Sequence, residues 1–262
     1  MTHRSPEYIP CAAPAQDTTP WVLLRGLARE QRHWGRFPQQ LADRLQCRVI
    51  CPDTPGNGYR YGEKSPLDIV LTLERVRCEL ATSGPFQLLG LSMGGMIATE
   101  WARLYPEQIE RLVLVNSSFG NLSPPWQRLR PSALRRIASS LSKPVFVREK
   151  QVFEMICQRR DDLEACVAQW AIYARECPVS RANLGRQLFA AARYRGPRNP
   201  PTQDTLILNA QGDQLVNPGC SSSIARHWGV PLKTHPWAGH DLTHDAPEWV
   251  IDHLVNPLPD MN

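Results

Sequence analysis

Ser92 stands in the run Gly90-Leu91-Ser92-Met93-Gly94-Gly95, after an apolar stretch, Phe86-Gln87-Leu88-Leu89, and before a helix-like one, residues 96–104. A strand, a Gly-x-Ser-x-Gly turn and a helix in that order form the setting of a nucleophile elbow. The turn is so sharp that residues two before and two after the serine must lack bulk, which Gly90 and Gly94 satisfy. The serine hydroxyl is pushed above the sheet end, and the N–H of Met93 opens a helix whose first amides favour negative charge.

A serine hydroxyl is a weak nucleophile at neutral pH and needs a base. The candidate is His240, in Trp237-Ala238-Gly239-His240 after the last apolar run. His244 is its nearest competitor, whereas His33, His227 and His253 fall on helical patterns. The base in turn needs a carboxylate to hold its tautomer. Asp213 follows the run 205–209 in a Gly212-Asp213 turn; Asp241, Asp245 and Asp53 are its rivals. Asp241 is adjacent to the histidine along the chain, a poor position from which to fold back onto its ring. Position 116, at another strand end, is Asn116 and carries no charge. An oxyanion needs two donors: the N–H of Met93 and, from Leu24-Arg25-Gly26-Leu27-Ala28, the N–H of Leu27.

The elements that must position these groups are legible as alternation. Short β-rich runs at 21–25, 48–52, 86–89, 111–115, 205–209 and 231–236 are separated by helical spacing: Phe37, Leu41, Leu45; Ile69, Leu73, Val76; Cys220, Ile224, Trp228. That pattern predicts an α/β fold, a mostly parallel sheet covered on both faces. A last helix begins near Pro247, where a missing N–H costs nothing. Residues 120–201 break the rhythm with helical patterns alone, such as Leu134, Ile137, Leu141 and Leu163, Val167, Trp170, between Pro-rich edges. They are expected to form an inserted helical cap on a core of residues 21–119 and 202–262. Residues 1–20 read as a loose lead-in.

Charge is unevenly placed. Of 30 Lys/Arg and 25 Asp/Glu in the 262 residues, 15 basic and 6 acidic lie at 119–200, so that segment carries +9 and the rest of the chain −4, which together give the net +5. Such a patch suits phosphate or carboxylate partners. No nucleic-acid motif accompanies it, and no apolar run approaches the ~20 residues of a membrane span. The eight cysteines are scattered, without zinc-like pairing, which predicts buried thiols in a reducing cytoplasm, no metal and no cofactor.

With Ser, Asp and His in that chain order, the sequence after residue 20 resembles the α/β-hydrolase superfamily. Cys51-Pro52-Asp53-Thr54-Pro55-Gly56-Asn57-Gly58 resembles its turn-shaping Asp-x-Pro-Gly-x-Gly loop; Gly239-His240 with Asp245, Pro247 and Glu248 resembles its ending; Arg25-Gly26 with Trp34 resembles its oxyanion loop. Two departures stand out: Arg25 where His is usual, and Ala28 where Gly is frequent. The usual hairpin before the first central strand is expected to be missing or vestigial. The resemblance implies an α/β-hydrolase fold and a serine hydrolase acting on a small-molecule ester, with Ser92, Asp213 and His240 catalytic and Leu27 and Met93 holding the oxyanion.

Ser92 argues against branches with an Asp nucleophile, but ester, thioester, amide and carbon–carbon hydrolysis stay open. Small carboxylesterases are the base expectation. In length, cap and elbow the chain is similar to pimeloyl-carrier-protein methyl esterases, in which cap arginines meet an acidic carrier; Arg135, Arg136, Arg159, Arg160 and Arg186 are placed to serve likewise. A non-catalytic hydrolase-fold binding protein is the alternative from another class. Arg25 at the pocket mouth and Trp126, Phe153, Met155, Trp170 and Tyr173 are candidate pocket residues, core packing being the favoured role for each of the last five.

Overall fold

Side chains alternate faces along a strand, and in this chain both faces are apolar, as a sheet covered by helices on both sides requires. The computed structural model describes residues 7–9, 18–80 and 84–255. Its strands are β1 (Glu7–Ile9), β2 (Trp21–Leu24), β3 (Val49–Cys51), β4 (Phe86–Leu91), β5 (Ile109–Val115), β6 (Thr205–Ala210) and β7 (Leu232–His235). They form one seven-stranded sheet in the order β1-β3-β2-β4-β5-β6-β7. Six strands run parallel, and β1 pairs antiparallel with β3. The expected lead-in therefore contains an edge strand; its other residues, up to 17, lie outside the described ones.

The helices are α1 (Phe37–Leu45), α2 (Ile69–Arg77), α3 (Met93–Leu104), α4 (Pro125–Arg128), α5 (Pro131–Ser140), α6 (Val145–Ile156), α7 (Leu163–Glu176), α8 (Arg181–Arg193), α9 (Gly219–Trp228), α10 (Leu242–Asp245) and α11 (Pro247–Val255). Val22, Leu24, Leu88, Leu112, Leu114 and Ile207 pack against α2, α3 and α9. Their neighbours Trp21, Leu23, Leu89, Leu91, Val113, Val115 and Leu208 face α1 and α11. α3 is buried from Met93 to Ala102, the central position that its apolar circumference demands. Among the described residues no helix is long and apolar enough to cross a membrane.

After β5 the alternation stops, and α4 to α8 follow before β6. Proline opens α4 and α5, and the Ser180 hydroxyl caps α8 by accepting from the N–H of Asn183 at 3.0 Å. These helices bury a small core of their own, in which Ala133, Phe153, Met155, Ile156, Cys157, Val167 and Trp170 cluster. The segment thus packs both on itself and over the rest of the chain. All seven cysteines among the described residues are free thiols.

Candidate active site

Because β2 and β4 to β7 are parallel, the loops that leave their C-terminal ends gather at one edge, where open α/β sheets bind ligands. Ser92 leaves β4, Asp213 follows β6 and His240 follows β7. Ser92 takes φ 58° and ψ −118°, and α3 starts at the next residue. A non-glycine residue in this region costs of order 1–3 kcal/mol and persists only where its surroundings over-determine it. Here they do. The N–H of Ser92 donates to the Val115 carbonyl (2.8 Å), and its own carbonyl accepts from Ser117 Oγ (2.9 Å) and the Gly95 N–H (3.0 Å). A Cβ at Gly94 would collide with the Leu24 carbonyl, and one at Gly90 with the Gly94 carbonyl. β2, β4 and α3 approach too closely for any side chain at those two positions.

His240 Nδ1 lies 2.7 Å from Asp213 Oδ2, both side chains buried. Asp213 Oδ1 accepts from the N–H groups of Leu215 (2.8 Å) and Val216 (2.9 Å), so both of its oxygens are held. Engagement of Nδ1 leaves Nε2 as the ring nitrogen able to exchange a proton. Asn116 fixes the histidine loop from below. Its Nδ2 donates to the carbonyls of His240 (2.9 Å) and Gly239 (3.2 Å), while its Oδ1 accepts from the Ala210 N–H (3.0 Å). The uncharged side chain at position 116 is therefore a bracket between β6 and the loop after β7, a role that residue type alone does not announce.

Ser92, His240, Leu27, Gly26 and Leu91 share the wall of a cavity of about 180 Å³. Its opposite wall comes from the inserted helices, through Ile137, Leu141, Val152, Met155, Ile156, Tyr173 and Leu184. The cavity lies between the sheet edge and those helices, its walls largely apolar, with Arg29, Glu30, Arg148, Glu149 and Arg181 also lining it.

Residues 21–253 match the model of the alpha/beta hydrolase family. The chain belongs to that family. It is 24% identical over 247 residues to a pimeloyl-[acyl-carrier protein] methyl ester esterase of Nitrosospira multiformis, covering 89% of this chain and 92% of the relative. A Salmonella heidelberg protein of the same name is 30% identical over 124 residues, a match spanning 46% of each chain. Among solved structures, the enol-lactonase from Burkholderia xenovorans superposes with a TM-score of 0.74 at 18% identity, over 95% of this chain and 94% of the other, a likeness of fold.

In this α/β hydrolase Arg25 and Asp241 form a buried ion pair, at 2.6 and 3.3 Å between two guanidinium nitrogens and the two carboxylate oxygens. The guanidinium lies over the Trp34 ring, 4.6 Å from its centroid, and Thr243 Oγ1 donates to Asp241 at 2.9 Å. Burial pushes the Asp241 carboxyl up, but the charge and hydrogen bonds of Arg25 outweigh it and hold it at about 2. The pair joins the loop that carries Leu27 to the loop that carries His240. Arg25 does reach the cavity wall, yet its charge is committed to Asp241 rather than free for a substrate.

Trp126, Phe153 and Trp170 do not line the cavity. Trp126 is 64% exposed on α4. Phe153 is fully buried between Trp170 and His244, and Trp170 packs on His33 and beneath Arg29. Met155 and Tyr173, candidates on the same grounds, do line it. Of the rival bases, His33 reaches the wall, but burial and then the charges of Arg29 and Arg25 lower its pKa well below the usual value. Asp53 accepts from the N–H groups of Gln31 (2.8 Å) and Tyr59 (3.0 Å) and shapes its own loop. Asp245 accepts from the N–H groups of Gly239, Gln158 and Arg159.

Breaking one side of a buried pair strands the other charge, at a cost of about 3–5 kcal/mol. Arg25→Gln is expected to lose that much stability at neutral pH in urea denaturation. Asp241 titrates at about 2 when folded and at about 3.9 when unfolded. The pair's stabilisation is therefore complete above about pH 4 and lost as pH falls toward about 2. The deficit of Arg25→Gln relative to wild type should shrink on acidification through that window; a deficit independent of pH contradicts the charge pairing.

Proposed function

We propose that this α/β hydrolase cleaves carboxylic esters through an acyl-enzyme formed at Ser92. The observation that carries the reading is the 2.7 Å contact of His240 Nδ1 with Asp213, in a histidine that shares one cavity wall with Ser92. His240 Nε2 takes the hydroxyl proton as Ser92 attacks the carbonyl carbon, and the Asp213 carboxylate holds the Nδ1–H tautomer and stabilises the imidazolium. The N–H groups of Met93 and Leu27 receive the oxyanion, Met93 at the N-terminus of α3 where the helix dipole also favours negative charge. His240 then protonates the leaving alcohol. Water, deprotonated by the same nitrogen, attacks the acyl carbon and releases the acid and Ser92. The inserted helices act as a cap that excludes bulk water and shapes the acyl channel.

The apolar walls from Val152, Met155, Ile156 and Leu184 suit a short or medium acyl chain. On p-nitrophenyl acyl esters of increasing length, Ser92→Ala and His240→Gln are each expected to lower kcat by roughly 10⁴-fold or more, and Asp213→Asn by about 10⁴-fold. KM should change little. Wild-type turnover unaffected by Ser92→Ala, or absent on every ester and thioester of the series, contradicts the reading, and the latter favours a binding protein.

A finer reading is supported by two observations: the names of the curated relatives, and the basic balance of residues 119–200. In it the ester is presented by an acidic acyl carrier protein that docks on the inserted helices. Arg135 and Arg160 are exposed there, on α5 and after α6, whereas Arg186 donates to the Ser65 carbonyl and Arg159 pairs with Asp162. Steering of this kind weakens with salt. Arg135→Glu combined with Arg160→Glu should lower kcat/KM for a carrier-linked methyl ester several-fold at low salt and leave a p-nitrophenyl ester unchanged. Equal rates on carrier-linked and free methyl esters in the wild type overturn the docking.

A further inference from the structure

His244 is one of the histidines that the proposed ester chemistry does not use. It lies on α10, four residues beyond His240, with its ring edge-on to Phe153 at 5.2 Å. Its Nε2 is shielded from solvent and has no hydrogen-bond partner among the described residues. Asp162 Oδ1, at the start of α7, is in the same condition. The two atoms face each other at 3.6 Å. That is too long for a hydrogen bond. It is close to the roughly 3.4 Å that separates two donors sharing one tetrahedral ion through bonds of about 2.0–2.2 Å.

The third member is Cys166, one helical turn after Asp162 on the same face of α7. The donor atoms of Asp162, Cys166 and His244 all lie within 4.8 Å of one another. A second triplet, Cys157, His244 and Asp245, is equally close. It is the weaker choice, because both Asp245 oxygens already accept from the N–H groups of Gly239, Gln158 and Arg159. Among the described residues Asp162 Oδ1 meets only His244 Nε2 at 3.6 Å, its Oδ2 faces the Arg159 guanidinium at 3.6 Å, and the Cys166 thiol hydrogen-bonds to the same carboxylate. One thiolate, one imidazole and one carboxylate suit a borderline divalent ion, whereas calcium and magnesium prefer oxygen throughout.

We propose that Asp162, Cys166 and His244 form a binding site for a borderline divalent cation such as Zn²⁺. Three protein donors hold the ion, and water takes the fourth position, which the partial exposure of the three residues admits. Coordination replaces the S–H proton of Cys166, which leaves to solvent, and no electron is transferred. The ion ties the N-terminal turn of α7 to α10, and so links the inserted helices to the segment that continues from His240. This goes beyond the ester-cleaving reading and does not depend on it. It also departs from the expectation, drawn from scattered cysteines, that the chain holds no metal: the donors come from two segments some eighty residues apart, and folding alone unites them.

The test is titration of the metal-free full-length protein with Co²⁺, which reports thiolate coordination optically. One Co²⁺ per chain should bind, with a sulfur-to-cobalt charge-transfer band and the intense visible bands of four-coordinate cobalt, and Zn²⁺ should displace it. Cys166→Ser and His244→Gln should each abolish the charge-transfer band or weaken binding by roughly 100-fold, with circular dichroism confirming that both variants fold. Cys157→Ser and Cys78→Ser should retain the band. The proposal is overturned if the wild type gives no such band in excess Co²⁺, if the band survives both substitutions, or if Cys157→Ser or Cys78→Ser removes it instead.

Discussion

The junction of β4 with α3 constrains everything else at the sheet edge. Ser92 must hold a positive φ while joining a central strand to a central helix, and that conformation is unfavourable by itself. It is maintained because β4 is paired on both sides, by β2 and β5, and α3 is buried along ten residues. Neither element can relax without opening both faces of the core. Gly90 and Gly94 are the steric condition for that arrangement, since the Leu24 and Gly94 carbonyls occupy the space where their side chains would be. At this junction the strain falls on Ser92, which is thereby lifted out of the sheet toward the cavity.

A polar frame then fixes the loops around it. Asn116 clasps the histidine loop from the β5 end, Asp213 is held by two backbone amides, and the Arg25–Asp241 pair crosses from the β2 loop to the β7 loop. Each connection is buried, where an unmade hydrogen bond or a stranded charge is expensive. Removing one member leaves its partner without compensation, so the frame favours a single geometry over a range of loop positions. Arg25 belongs to this frame. Its departure from the usual histidine is answered by Asp241, which sits immediately after His240 and pairs with Arg25 while the histidine ring meets Asp213.

Elements governed by local periodicity were legible. The six parallel strands, the helices around Phe37, Ile69, Cys220 and Pro247, and the strandless stretch after β5 follow from spacing alone. The 2.7 Å contact of His240 with Asp213 did not follow from spacing; strand ends and chain order only narrowed its candidates. The cavity wall was not legible, and α6 shows why. Val152, Met155 and Ile156 line the cavity while Phe153 turns toward Trp170. A helix between a small core and a cavity is apolar on both faces, so composition cannot say which face is which. Trp126 misled for a related reason: an aromatic residue reads as buried, yet α4 is a single turn that leaves it in solvent. The strand Glu7–Ile9 was hidden among prolines and depends on an edge offered by β3, a partner forty residues away.

The central claim is that Ser92 is a nucleophile activated by His240, and covalent labelling tests it most directly. A fluorophosphonate captures an activated serine without requiring that the natural substrate be known. The account predicts one label per chain, mapped by peptide mass spectrometry to Ser92, absent in Ser92→Ala and greatly slowed in His240→Gln. A wild-type protein that resists the probe, or one labelled at another residue with equal vigour in Ser92→Ala, would contradict it.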